Sequence, residues 1–167
     1  MMTEYEMAVD PGLVEFIEMV RSVPKDEANK LNYKISEIGD KQREGIESIT
    51  GETLNAKFNV INGSGINHID NRHGKDGSAD HSMANIEDIA RIAYILENYD
   101  NVGFLIDKDT QKTVTSDNYK AGSGKHAPIL SFVKKVNGFY SIAQAVNDSS
   151  KGWLNIISAY KSKNKPT

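Results

Sequence analysis

Apolar residues recur at helical spacing near the start of the chain, at Leu13, Val14, Phe16, Ile17 and Val20, directly behind Asp10-Pro11. An aspartate cap followed by proline at the first helical position marks a helix start, and Pro24 sets its end. Leu31 to Ile38 alternates weakly through Tyr33, Ile35 and Ser36 and predicts an irregular or edge strand. Asp40 caps a second helix running through Ile49, with Glu44 and Glu47 outward and Gly51 at its stop. Phe58 to Ile61 is a brief apolar approach to a polar segment opened by Asn62-Gly63-Ser64-Gly65. Ser64 reads as the cap and Gly74 as the stop of a helix of about two to three turns. Ile86 to Leu96, apolar at i, i+3 and i+6 to i+7, predicts the most strongly patterned helix of the chain.

From Val102 onward the period changes from helical to strand-like. Strands are expected at Val102 to Asp107, Val114 to Tyr119, Pro128 to Val136, Phe139 to Val146 and Trp153 to Lys161. Asn137-Gly138 between two of them is the strongest hairpin signal. Helices first and an antiparallel meander afterwards give an α+β domain with its helices on one face of the sheet.

With 167 residues the chain is one domain's worth, long enough for a real core. The absence of cysteine excludes a disulfide framework, thiolate metal sites and a cysteine nucleophile. The start, Met1-Met2-Thr3-Glu4-Tyr5-Glu6, lacks the basic end and apolar centre of a secretory signal, and no apolar run approaches membrane-spanning length, so no membrane partner is expected. The formal charge of −3 hides a division: residues 1–110 carry 11 Lys+Arg against 21 Asp+Glu, whereas residues 111–167 carry 9 against 2. The C-terminal third can therefore offer a cationic surface to a polyanion. For Lys161, Lys163 and Lys165 a merely solvated tail explains the charge equally well.

Half of the histidines and an arginine fall within Asn67-His68-Ile69-Asp70-Asn71-Arg72-His73-Gly74. At about 100° per residue, His68 and Arg72 lie roughly 40° apart on a helix and share a face, while His68 and His73 lie roughly 140° apart. That phase disfavours joint chelation of a metal by His68, His73 and Asp70 or Asp76, and no cofactor or metal is expected. Two histidines and a guanidinium suit metal-free acid/base work on a phosphate: imidazole takes a proton, imidazolium gives one, and arginine offers a planar fork. The same residues also fit a solvated helix end whose charges complement the dipole. Ser158 and Tyr160, two apart on a strand, project to one face and can meet one substrate phosphate or base. Ile156, Ser158 and Tyr160 fit equally well as the packed face of an interior strand. Lys125 and Lys135 are candidate substrate-binding cations. Trp153 reads as packing, His81 as loop, and His126 as loop or, beside a strand start, as a neighbour of the site.

The HIDNRHG segment followed by a helix, Ala127 to Gly138, and the closing Ile157-Ser158-Ala159-Tyr160-Lys161 together resemble the barnase/EndoU/colicin/RelE-like nuclease superfamily. The resemblance is narrower to the phage-borne branch at the ends of MuF-type head and polyvalent proteins, and it extends to contact-dependent toxin tips. It covers roughly residues 55–161. It implies N-terminal helices followed by a four-stranded antiparallel sheet, with residues 55–167 as the nuclease domain and residues 1–54 as a helical extension or linker. The implied activity is metal-independent, toxin-like endoribonuclease cleavage of RNA, tRNA among the candidate targets, by attack of the ribose 2′-hydroxyl to leave a 2′,3′-cyclic phosphate. One of His68 and His73 would remove the 2′-OH proton and the other would protonate the leaving oxygen. Arg72 would stabilise the phosphorane, an effect of about 3 to 4 kcal/mol for a well-placed donor, and Ser158 and Tyr160 would orient the phosphate. The implied partners are RNA and a cognate immunity or antitoxin protein, the implied site of action is cytoplasmic, and the chain would be the C-terminal part of a larger phage or toxin protein. The alternative is a catalytically inactive RNA- or protein-binding module of a phage polyvalent protein.

Overall fold

Asp10 caps the first helix as its place before proline dictates, accepting the Gly12 and Leu13 amides at 2.9 and 3.3 Å and, on the same carboxylate, the Tyr33 hydroxyl. The computed structural model describes residues 3–166, so the Met1-Met2 start lies outside the described residues. In chain order a 3-10 turn at Glu4–Glu6 leads to α1 (Pro11–Ser22), α2 (Lys25–Ala28), β1 (Asn32–Glu37), α3 (Asp40–Thr50), β2 (Phe58–Asn62) and α4 (Gly63–His73). There follow α5 (Ile86–Ile89), α6 (Ile92–Asn98), β3 (Asn101–Phe104), β4 (Thr115–Lys120), β5 (His126–Val136), β6 (Gly138–Ala145) and β7 (Trp153–Ser162).

Two expected caps move. Gly39 occupies the cap position of α3, and Asp40 is its first helical residue, where its charge complements the dipole. Asn62, not Ser64, caps α4 by accepting the Gly65 amide at 2.9 Å, because β2 runs into the helix without a loop and asparagine caps as well as serine. The expected helix over Ile86 to Leu96 is broken into α5 and α6. The carbonyl of Ala90 is diverted to the Asp10 amide at 3.0 Å, a tertiary bond that takes it out of the helical ladder.

The sheet is also larger than four antiparallel strands. Its order is β1-β2-β7-β6-β5-β3, with β4 on the same edge of β5 as β3, giving seven strands. The expected antiparallel part is present: β3 pairs with residues 130–133 of β5, β4 with residues 126–128, and β5, β6 and β7 follow in turn. The addition is β2, which joins β7 in parallel and brings β1 with it. The hairpin turn falls at Asn137-Gly138 as expected. Of these two residues only Gly138 has positive φ (+109°), so the turn is not of type I′, and a Cβ there would lie 2.7 Å from the Ser162 carbonyl oxygen.

One face of the sheet, through Leu130, Phe132, Tyr140, Ile142, Ile156 and Ala159, packs against Leu13, Phe16 and Ile17 of α1, Ile66 and Ile69 of α4, and Ile92, Ile95 and Leu96 of α6. Residues before 55 thus contribute α1, β1 and α3 to the same core, and the buried amides of Gln42, Asn59 and Gln144 bond α3 to β2 and β6 at 2.7 to 3.0 Å. The opposite face carries Val133, Ser141, Ala143, Ser158 and Tyr160. Among the described residues no helix is long and apolar enough to cross a membrane.

Candidate active site

β2 pairs with only residues 153–155 of β7, so the remainder of that strand has a free edge, and α4 lies along it. The close approach rests on Gly65: a Cβ there would sit 3.0 Å from the Ile156 carbonyl oxygen. Gly65 is level with Ile156 and His73 with Tyr160, so helix and strand run in parallel, and Ser158 falls level with the middle of α4.

The expected shared face of His68 and Arg72 is observed, and both side chains are exposed. Partial burial first, then the charges of His73 and Arg72, lowers the His68 pKa below the usual imidazole value. Arg72 makes no side-chain bond among the described residues, so its guanidinium is uncommitted. Asp70 is not part of this group; it forms a two-bond pair with Arg21 of α1 at 2.8 and 3.0 Å.

His73 departs from expectation, for it is buried at 9% exposure rather than standing on an exposed helix end. It continues the Ile66–Ile69 stripe, and its ring stacks on Tyr160 with centroids 5.2 Å apart and planes at 24°. Its Nδ1 lies 3.0 Å from Oδ2 of Asp80, whose Oδ1 accepts the Ser82 amide. Burial would raise the Asp80 carboxyl, but the hydrogen bonds from Ser82 and His73 outweigh it and hold the pKa below its usual value. Asp80 is therefore an anionic acceptor that fixes Nδ1–H and leaves Nε2 to exchange a proton. The loop carrying Asp80 is itself anchored, since Ser82 Oγ accepts the Lys161 amide at 3.0 Å. Sequence reasoning missed Asp80. Its available signals were the glycines at 74 and 77, which let the chain turn back, and the Asp80–Ser82 turn.

Ser158 and Tyr160 share a face as expected, but a bulge between the Ala143–Ser158 and Gln144–Ile156 pairs places Ile156 on the helix side. Ser158 pairs with Ala143 and Tyr160 with Ser141. The hydroxyls of Ser158 and Ser141, at 8% and 1% exposure, have no hydrogen-bond partner among the described residues. These two buried hydroxyls lie on the sheet face that carries the phenol stacked against His73. Ser141 had no sequence signal, because its place beside Tyr160 is set by strand register alone.

The cations divide. Lys135, which pairs with Phe139 level with Ser162, is exposed on the same face as Ser158 and Tyr160. Lys165 reaches this face too, bordering a cavity of about 210 Å³ with Ser131 and Val133. Lys125 is not brought to α4; it lies in the turn before β5, near Thr50, Glu52 and His126. Lys161 and Lys134 are neutralised by Glu4 with Asp88 and by Asp100. His126 sits at the start of β5 with Nδ1 on the Ser116 carbonyl, and His81 is exposed with no side-chain bond among the described residues. Among those residues no group of three or more His, Cys, Asp or Glu side chains is placed to hold a metal ion.

A family model described as phage-Barnase-EndoU-ColicinE5/D-RelE like nuclease3 matches residues 36–167. No curated protein and no solved structure matches the chain.

Proposed function

Starting from the fact that this chain belongs to the phage-Barnase-EndoU-ColicinE5/D-RelE like nuclease family, we propose that it is a metal-independent endoribonuclease of toxin type. The observation that carries this reading is the His73 imidazole held between Asp80 and the Tyr160 ring, with His68 and Arg72 on the same helix. A nuclease acting on RNA has an internal nucleophile, the 2′-hydroxyl, and needs only a base, an acid and charge stabilisation.

His68, whose lowered pKa keeps it neutral at pH 7, removes the 2′-OH proton as that oxygen attacks phosphorus. The bond from phosphorus to the 5′-oxygen breaks, and His73 delivers its Nε2 proton to that oxygen while the Asp80 carboxylate balances the cationic ring. Arg72 meets the charge of the phosphorane, and the Tyr160 hydroxyl, with Ser158 beside it on the strand, orients its oxygens. The product is a 2′,3′-cyclic phosphate. Lys135 and Lys165 contribute the salt-dependent part of RNA binding.

The test is incubation of the chain with tRNA, total RNA and DNA, each with and without EDTA. RNA is cut in both conditions and DNA is left intact. Loss of RNA cleavage on chelation with recovery on adding Mg²⁺ overturns the mechanism, and absence of cleavage under all conditions with retained RNA binding favours the inactive module.

A further inference from the structure

Along β7 from Ser158, toward its start, the same face runs into a groove of about 460 Å³. It is open along its length to solvent, as suits a chain laid across a surface rather than a small ligand enclosed in a cavity. Asn155 and Ser158 lie on one face and are three residues apart, roughly 10 Å at the rise of an extended strand. The groove is rich in side-chain amides and aromatic rings: Asn62, Asn147 and Asn155, with Tyr119, Trp153 and Lys151.

These groups are pre-set by bonds to one another. Asn147 donates Nδ2–H to Oδ1 of Asn155 at 3.4 Å and accepts the Asn155 backbone amide at 3.3 Å. Asn155 is 6% exposed, and its Nδ2 has no protein partner among the described residues. Asn62, whose Oδ1 caps α4, donates Nδ2–H to the Tyr119 hydroxyl at 2.9 Å. The Tyr119 oxygen is thereby occupied as an acceptor, and its own proton is left to donate. The Lys151 ammonium sits 4.6 Å over the Trp153 ring, which fills that face and sets a cation at the rim.

The groove therefore offers two donors, Tyr119 Oη–H and Asn155 Nδ2–H, with the Lys151 ammonium at its rim. We propose that it is a nucleobase subsite that selects a keto base, uracil or guanine, in single-stranded RNA whose neighbouring phosphate lies at Ser158. A keto oxygen has two lone pairs and satisfies both donors. The amino group at the same position of cytosine or adenine presents a donor to two donors. The proposal rests on the ribonuclease reading above, but its test does not require cleavage.

The probes are 2′-O-methyl RNA pentamers that differ only in the central base, compared as uracil against cytosine and hypoxanthine against adenine. Each pair differs at the position that is keto or amino and at the ring nitrogen beside it, which carries a proton only in the keto base. Fluorescence anisotropy is expected to show the keto member binding about tenfold more tightly, within the range for one bidentate base contact. Tyr119→Phe, which removes one donor and keeps the ring, brings the ratio close to one. Asn155→Asp keeps the oxygen that Asn147 bonds but replaces the donor with an acceptor, and it turns the preference toward the amino base. Equal binding within both pairs by the native chain overturns the subsite, as does an unchanged ratio in folded Tyr119→Phe. A keto preference in a chain that cuts no RNA leaves the subsite standing and removes the nuclease reading.

Discussion

His68→Ala is expected to lower the proposed RNA cleavage by at least about 100-fold, the usual scale for a general acid or base, while leaving the fold intact because the side chain is exposed. His73 calls for a different substitution. In His73→Asn the side-chain amide replaces Nδ1–H and keeps the bond to Asp80, so the variant folds and the loss of Nε2 shows as a comparable fall in turnover. His73→Ala falls as far and is also destabilised by about 0.5 to 1.5 kcal/mol, since it removes a buried ring stacked on Tyr160. The pH profile of kcat/KM carries the sign of the His68 shift. The base must be neutral, so on the acid side cleavage is lost as the pH falls through its lowered pKa, and that limb lies below the ordinary imidazole value of about 6.5. His81→Ala, on an exposed loop, changes neither rate nor profile. An acid limb above 6.5, or an essential His81 with a dispensable His73, contradicts the assignment.

Asp88→Asn is expected to be the most destabilising change outside the apolar core. Asp88 is 3% exposed and bridges two cations, Arg91 Nη1 at 3.1 Å and Lys161 Nζ at 3.1 Å, with Glu4 also on Lys161 at 2.9 Å. Burial alone would lower the Lys161 pKa, but the bonds to Glu4 and Asp88 prevail and raise it, so the ammonium is retained. Removing the central charge leaves Arg91 and Lys161 facing each other beneath the N-terminal turn, and breaking such a buried pair typically costs about 3 to 5 kcal/mol. Urea unfolding followed by circular dichroism will read this as a lower midpoint at unchanged slope. A shift below about 1 kcal/mol would show the triad to be solvated and the N-terminal turn to be loosely held.

These buried charges belong to the part of the structure that sequence could not disclose. What was legible is local: Asp10-Pro11 before α1, Gly51 after α3, Asn137-Gly138 between β5 and β6, and the shared face of His68 and Arg72 each depend on neighbours within a few residues. What was hidden depends on distant partners. No local pattern announces that β2 joins β7 in parallel, that β3 and β4 divide one edge of β5, or that the Ala90 carbonyl leaves its helix for Asp10. The candidate site follows the same division. His68, Arg72, His73, Ser158 and Tyr160 were readable as residue types at set spacings. The burial of His73, the Asp80 carboxylate behind it and the Ser141 hydroxyl beside Tyr160 arise only when helix, loop and strand pack.

Attack by the 2′-hydroxyl, the step on which all the proposed roles converge, is tested most directly with one RNA oligonucleotide carrying a single 2′-deoxy nucleotide at the scissile position. Mass spectrometry of the unmodified oligonucleotide cut in EDTA should show a 2′,3′-cyclic phosphate end, and the 2′-deoxy version should remain uncut at that position. Cleavage of the 2′-deoxy version at the same bond, or a linear phosphate as the first product, would mean that water is the nucleophile and that His68 does not act on the ribose.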